Sequence, residues 1–205
     1  MTAPLGKVDA EKLPWAPWRP DDAAARLQAV DVAWAVAGGW AVDLFLGRLT
    51  RPHEDLEIVV PSAEAEVLLR AFPAPEWAWR VPAPEEMFPP DADAMSGHHQ
   101  TWLWDAQQGA FVLDLFRNRH EGGTWICHRD ESITASWGEV VASTEDGVPY
   151  LRPEVVLLYK AKHARAKDVA DLENLVPRMS AEARDRLVDW LRKVHPGHEW
   201  LDRLA

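Results

Sequence analysis

The chain has 205 residues, 47% of them hydrophobic and 27% charged, enough apolar material for one generous domain or a core with a small appended part. Its 33 acidic residues outnumber 22 basic ones, giving a formal charge of −11 at pH 7, which argues against binding by neutralisation of nucleic-acid phosphates and suits a cationic ligand, although acidity also serves plain solubility. The single cysteine, Cys127, excludes an internal disulfide, the N-terminal sequence MTAPLGKVDAEKLPW has no apolar leader core, and the apolar stretch 33–47 contains Asp43 and falls short of the ~20 residues a membrane span needs. A soluble, cytoplasmic chain is expected.

Residues 1–20, rich in Pro and Trp, read as an irregular arm lying on the core. A short helix is predicted over 22–30, a buried strand over 32–37, a sharp turn at Gly38-Gly39 and a helix over 40–46 ended by Gly47. After a loop at 48–54, residues 55–60 alternate as a strand, with Leu56, Ile58 and Val60 on one face and Asp55 and Glu57 on the other. Pro61-Ser62 opens a helix to about Phe72, a strand follows at 77–81, and the Pro-rich acidic stretch 82–98 reads as a long loop. Strands are predicted at 100–105, 111–116 and 124–128. From Pro153 the texture becomes helical: one helix runs to a stop at Pro177, and a last one starts at its Ser180 cap and ends at Pro196-Gly197. The expected organisation is a mixed α/β core over 1–150 with a helical subdomain over 151–205. The fold class is α+β, a twisted mixed sheet flanked by helices.

Asp55 and Glu57, two apart on a strand, leave the same face. Adjacent carboxylates repel, and a divalent cation offsets that directly; the plainer alternative is that both face water on a half-exposed strand. Asp114 stands alone among apolar residues in Phe111-Val-Leu-Asp-Leu-Phe116. A carboxylate buried there needs a partner, either a shared metal or an ion pair to Arg117 or Arg119. The glycine pair at a strand-to-helix turn allows close approach of a phosphate to the backbone and to a helix N-terminus. Arg51 and His53 flank the carboxylate strand, where they serve as phosphate contacts or simply as polar loop residues.

The run GGWAVDLFLGRLTRPHEDLEIVV (38–60) resembles the signature of the polymerase-β-like nucleotidyltransferases, in which a Gly-Gly or Gly-Ser turn and helix precede a strand bearing Asp-x-Asp or Asp-x-Glu. Within that superfamily it is similar to the group related to aminoglycoside 2''-adenylyltransferases, and the similarity continues through HHQTWLWD, FVLDLF, TWICHRD and the segment 150–177. The resemblance implies that Gly38 and Gly39 contact a triphosphate and that Asp55, Glu57 and Asp114 ligate metal, with Asp114 also taking the proton of an acceptor hydroxyl. It implies magnesium, typically as two ions ~3.5–4 Å apart, and ATP as co-substrate. Lys160, or else Lys162, would reach the leaving pyrophosphate, while Lys167, Asp168 and Asp171 are expected to pair on the surface. Glu57 departs from the Asp of the better-known resistance enzymes by one methylene.

Glu85, Glu86, Asp91 and Asp93, flanked by Trp77, Trp79, Trp102 and Trp104, make a candidate acceptor site for a polyamine sugar through ion pairs and cation–π contacts, against the plainer reading of a solvated connector. No phosphate-loop, dinucleotide, hydrolase-elbow or zinc-protease motif is present, and His195 and His198 are expected to cap or pack. The expected partners are a nucleoside triphosphate and a small-molecule acceptor, with nucleic acid and membrane disfavoured. The competing functions are a catalytically silent nucleotide-binding or toxin–antitoxin-type protein, and a nucleotidyltransferase acting on protein or tRNA.

Overall fold

A computed structural model describes residues 13–83 and 86–204. Along them run α1 (Pro20–Leu27), β1 (Ala35–Val36), α2 (Gly38–Leu46), β2 (Glu57–Pro61), a 3-10 turn into α3 (Ala65–Ala71), β3 (Trp77–Pro82), β4 (Met87–Phe88), α4 (Ala92–Gly97), β5 (Gln100–Asp105) and β6 (Ala110–Asn118). There follow β7 (His120–Glu121), β8 (Thr124–Ile126), β9 (Thr134–Ser136), α5 (Trp137–Val140), β10 (Val141–Ser143), β11 (Pro149–Leu151), α6 (Pro153–Lys160), α7 (Ala166–Leu175), α8 (Ala181–Val194) and α9 (Trp200–Leu204). The class is the expected α+β. The chain forms two compact units, one from residues up to 35 with 53–118, the other from 36–52 with residues from 119 onward. The division between them does not fall at 150.

In the first unit the strands run in the order β2-β6-β5-β3-β4, with β2 and β6 parallel and the rest antiparallel. The period of two sends Ile58, Val60, Leu103, Leu113 and Leu115 to one face, where all are fully buried. That face packs on α3 through Leu68, and the Trp79 indole N–H donates to the Leu69 carbonyl at 3.1 Å. Trp18, Phe72 and Trp77 close the same core as an edge-to-face cluster, with ring centroids 5.4–5.6 Å apart. The described end of the N-terminal arm is ordered by backbone pairing: the Ala16 N–H donates to Phe111 and the Trp18 N–H to Val112.

In the second unit β10-β11-β1 form one set of strands, with Val36 of β1 parallel to Tyr150 of β11, and β7-β8-β9 form another. The apolar stripe Leu187, Trp190 and Leu191 of α8 is buried, and Trp190 meets the fully buried Trp125 at 5.9 Å. Ser180 caps α8 as its sequence predicts, accepting from the Ala183 N–H at 3.1 Å. Among the described residues no helix is long and apolar enough to cross a membrane.

Two expectations are corrected. The single helix expected from Pro153 to Pro177 is two: α6 stops at Lys160, Ala164 takes a left-handed φ of 42°, and α7 restarts where Asp168 accepts the Arg165 N–H at 3.0 Å. Nothing in KAKHARAKD disfavours a helix locally, so the break belongs to the packing. The expected loop 82–98 contains β4 and α4, the latter capped by Asp91, whose Oδ1 accepts the Ala94 N–H at 2.9 Å. Residues 134–151, left unassigned by pattern, form β9, α5, β10 and β11.

Leu113 lies on the central strand with no exposed surface. Leu113→Ala is expected to cost about 2–5 kcal/mol, read from the shift of the chemical denaturation midpoint.

Candidate active site

Parallel pairing of β2 with β6 sets Glu57 directly opposite Asp114. Both therefore project from the face opposite the core, and Asp55, two residues before Glu57, projects with them. One carboxylate oxygen from each of Asp55, Glu57 and Asp114 lies within 4.8 Å of the others. Asp55 and Glu57 are half-buried and Asp114 is buried. Burial pushes the Asp114 carboxyl well above the usual carboxylate range, and the charges of Glu57 and Asp55 push it further.

Two neighbours oppose that rise. The Gln100 amide on β5 donates to Asp114 Oδ2 at 2.8 Å. Trp102, opposite Asp114 in the β5–β6 register, lends a weaker pull on the same carboxylate without hydrogen-bond geometry, since its indole N–H finds no acceptor. Asp114 Oδ1 is buried and accepts nothing. The ion pair considered for Asp114 does not form: the Arg117 guanidinium donates to the Thr101 hydroxyl and the His98 carbonyl, and Arg119 pairs with Glu121 and Glu131. Three mutually repelling carboxylates with an unsatisfied buried oxygen are the donor set a hard divalent cation takes, so the residues fit magnesium. Gln100 escaped the sequence reading, and Trp102 entered it only as a flank of the acidic loop, not as a neighbour of Asp114. The alternation in Gln100–Asp105 puts them on one face, but only the strand register shows that the face is Asp114's.

The other residues singled out from the sequence lie as follows. His53 belongs to the first unit, half-buried in the turn before β2. Gly38, Gly39, Arg51 and Lys160 belong to the second. Gly38 opens α2 with a φ of 60°, a conformation that favours glycine, so the pair is the first turn of the helix rather than a link before it. Asp43, buried on α2, accepts the Thr50 N–H at 3.1 Å. Arg51 and Lys160 meet on one carboxylate oxygen, Asp171 Oδ2, at 3.4 and 2.9 Å, and Lys160 also reaches Asp168 at 3.3 Å. Asp168 and Asp171 are buried, not the surface pair expected. Burial alone would raise the Asp168 carboxyl, yet the Arg165 and Lys160 hydrogen bonds and charge hold it below its ordinary value.

The acidic loop contributes Glu86, Asp91 and Asp93, all exposed, while Glu85 lies outside the described residues. Of its four flanking tryptophans, Trp77 and Trp79 pack with Phe72 in the core, and Trp102 and Trp104 pack on Phe111. The four do not share one face.

Two outcomes follow from these charges. A folded Asp114 that holds its proton more tightly than the unfolded chain binds extra protons in the native state. In metal-free buffer, stability is therefore expected to fall as pH rises from the ordinary carboxylate range, about 4, through the raised Asp114 value. Asp114→Asn should flatten that slope and raise the metal-free melting temperature, while added magnesium should raise the melting temperature of the wild type and leave the variant unmoved. Lys160→Met leaves Asp168 and Asp171 buried against fewer cations and is expected to cost about 3–5 kcal/mol by chemical denaturation.

Residues 22–78, from α1 into the start of β3, match the aminoglycoside-2''-adenylyltransferase family model. Among curated proteins nothing matches the chain. Among solved structures, ANT(2'')-Ia in complex with adenylyl-2''-tobramycin is 14% identical with a TM-score of 0.56, over 82% of this chain and 92% of that one. The solution structure of the antibiotic-resistance factor ANT(2'')-Ia is 16% identical with a TM-score of 0.52, over 82% and 86%. At such identities the likeness is one of fold. The likeness therefore rests on one matched segment and on the fold: residues 22–78 resemble the aminoglycoside-2''-adenylyltransferase family, and the chain shares the fold of ANT(2'')-Ia.

Proposed function

We propose that the chain is a cytoplasmic, magnesium-dependent nucleotidyltransferase that moves AMP from ATP to a hydroxyl of a small amine-bearing acceptor and releases pyrophosphate. The observation that carries this reading is the convergence of Asp55, Glu57 and Asp114 within 4.8 Å on paired parallel strands. These three carboxylates would hold the magnesium, which when bound supplies charge stabilisation to the attacking and leaving oxygens of an in-line phosphoryl displacement.

The chain's own groups do the rest. Asp114 takes the proton of the acceptor hydroxyl, a contribution of about 10²–10⁴-fold. Gln100 occupies Oδ2 and fixes the carboxylate plane, so the other oxygen is the one presented. The Gly38-Gly39 turn offers backbone N–H groups to the triphosphate, with Arg51, His53 and Lys160 as the cations and donors nearest in role. The formal charge of −11 favours an acceptor carrying amines. The likeness to a structure holding an adenylylated aminoglycoside supports the same choice of chemistry.

The test is pyrophosphate release from ATP and magnesium across a panel of aminoglycosides and lincosamides, with product mass as the second readout. Release with an acceptor gaining the mass of AMP is expected, and Asp55→Asn should lower the rate by about 10²–10³-fold or more. Absence of calorimetric ATP binding in magnesium would overturn the reading in favour of a silent scaffold. Label appearing on protein or tRNA would move the acceptor class.

A further inference from the structure

The strand registers of the first unit align four side chains in one row across the face of the sheet opposite the core. Arg80 of β3 stands opposite Trp102 of β5, Trp102 opposite Asp114 of β6, and Asp114 opposite Glu57 of β2. Directly paired residues share a face, so the row reads cation, aromatic ring, carboxylate, carboxylate. Their strand neighbours Trp79, Thr101, Leu115 and Ile58 point the other way and are buried.

Arg80 is half-buried, and burial lowers its affinity for its proton. Its Nη1 donates to the Trp79 carbonyl at 2.8 Å, and no carboxylate among the described residues pairs with it. Arg117, which is buried in this unit, spends its donors on the Thr101 hydroxyl and on backbone carbonyls. No nitrogen of Arg80 is buried without a partner, so the guanidinium remains available at the surface, and its planar donors match a carboxylate or phosphate. Beside it the Trp102 indole N–H is buried without an acceptor, and its ring is held edge-on by Trp15 and Phe111 at 5.2 and 5.4 Å.

Direction along the row separates the two substrates. Glu57 and Asp55 lie on one side of Asp114, the side of the metal and the nucleotide in the reading above, while Trp102 and Arg80 lie on the other. We propose that the acceptor lies over Trp102 and presents an anionic group, a carboxylate or a phosphate ester, to Arg80 while its reacting hydroxyl meets Asp114. This rests on the transferase reading and narrows it. Two strand spacings separate Arg80 from Asp114, ~10 Å between backbones, the scale of a sugar and its substituents. A plain polycation would set ammonium against guanidinium there; a hydroxylated amine that also carries an acid satisfies both Arg80 and the acidity of the chain.

Matched probes test this: glucosamine against glucosamine 6-phosphate, and glucose against glucuronate, titrated calorimetrically into the magnesium–ATP-analogue complex and assayed for pyrophosphate with ATP. The acid-bearing member of each pair is expected to bind about 10–100-fold more tightly. Arg80→Gln should abolish that preference with the KM for ATP unchanged, and Arg80→Lys, which keeps the charge without the fork, should retain part of it. Equal binding of the paired probes, or a preference that survives in Arg80→Gln, overturns the assignment. Pyrophosphate release without an acid preference would sink the Arg80 role alone. An Arg80-dependent preference without pyrophosphate release would instead sink the transferase reading and keep Arg80 as the anion contact.

Discussion

The first unit is built around an electrostatic conflict. Parallel pairing of β2 with β6 holds Glu57 against Asp114, with Asp55 beside them, and burial, reinforced by the like charges, drives up the proton affinity of the most buried member. What keeps them there is the opposite face of the same strands. Ile58, Val60, Leu113 and Leu115 have no exposed surface, and slipping either strand by one residue would carry all of them into water. The apolar face thus enforces a register that the polar face resists. A carboxylate cluster held against its own repulsion by a core on the other side of the sheet is a local loss of stability offset elsewhere in the fold.

The side chains around the conflict are consistent with its use. Gln100 donates to one Asp114 oxygen and leaves the other without a partner, and Trp102 supplies an apolar wall with an unmet N–H. Arg117 and Arg119 are turned to other acceptors and do not pair with Asp114. Three carboxylates brought this close, one of them with a buried oxygen that accepts nothing, are a donor set suited to a hard divalent cation.

The second unit handles charge in the opposite way. Asp168 and Asp171 are as deeply buried as Asp114, but each is paired, and Lys160 bridges the two. Arg51 shares Asp171 with Lys160, which orders two cations from distant parts of the chain around a single oxygen. Ion pairs so withdrawn from water add less to stability than their count implies, and their value lies in fixing where the cations stand.

The sequence alone located the candidate carboxylates and much of their framework. An Asp-x-Glu pair on an alternating strand, a lone aspartate in an apolar one and a glycine pair before a helix all depend on local period and residue type, and the resemblance drawn from them anticipated the fold. Local signals also located β5 and the Ser180 cap. Tertiary structure decided whatever needs a partner distant in sequence. The break between α6 and α7 interrupts residues that would all accept a helix; Lys160 meets carboxylates one and two turns into a helix the pattern did not separate; and Gln100, Trp102 and Arg80 join the carboxylate row only through strand register. Period tells which side of a strand a residue takes, but pairing alone decides which residue it stands beside.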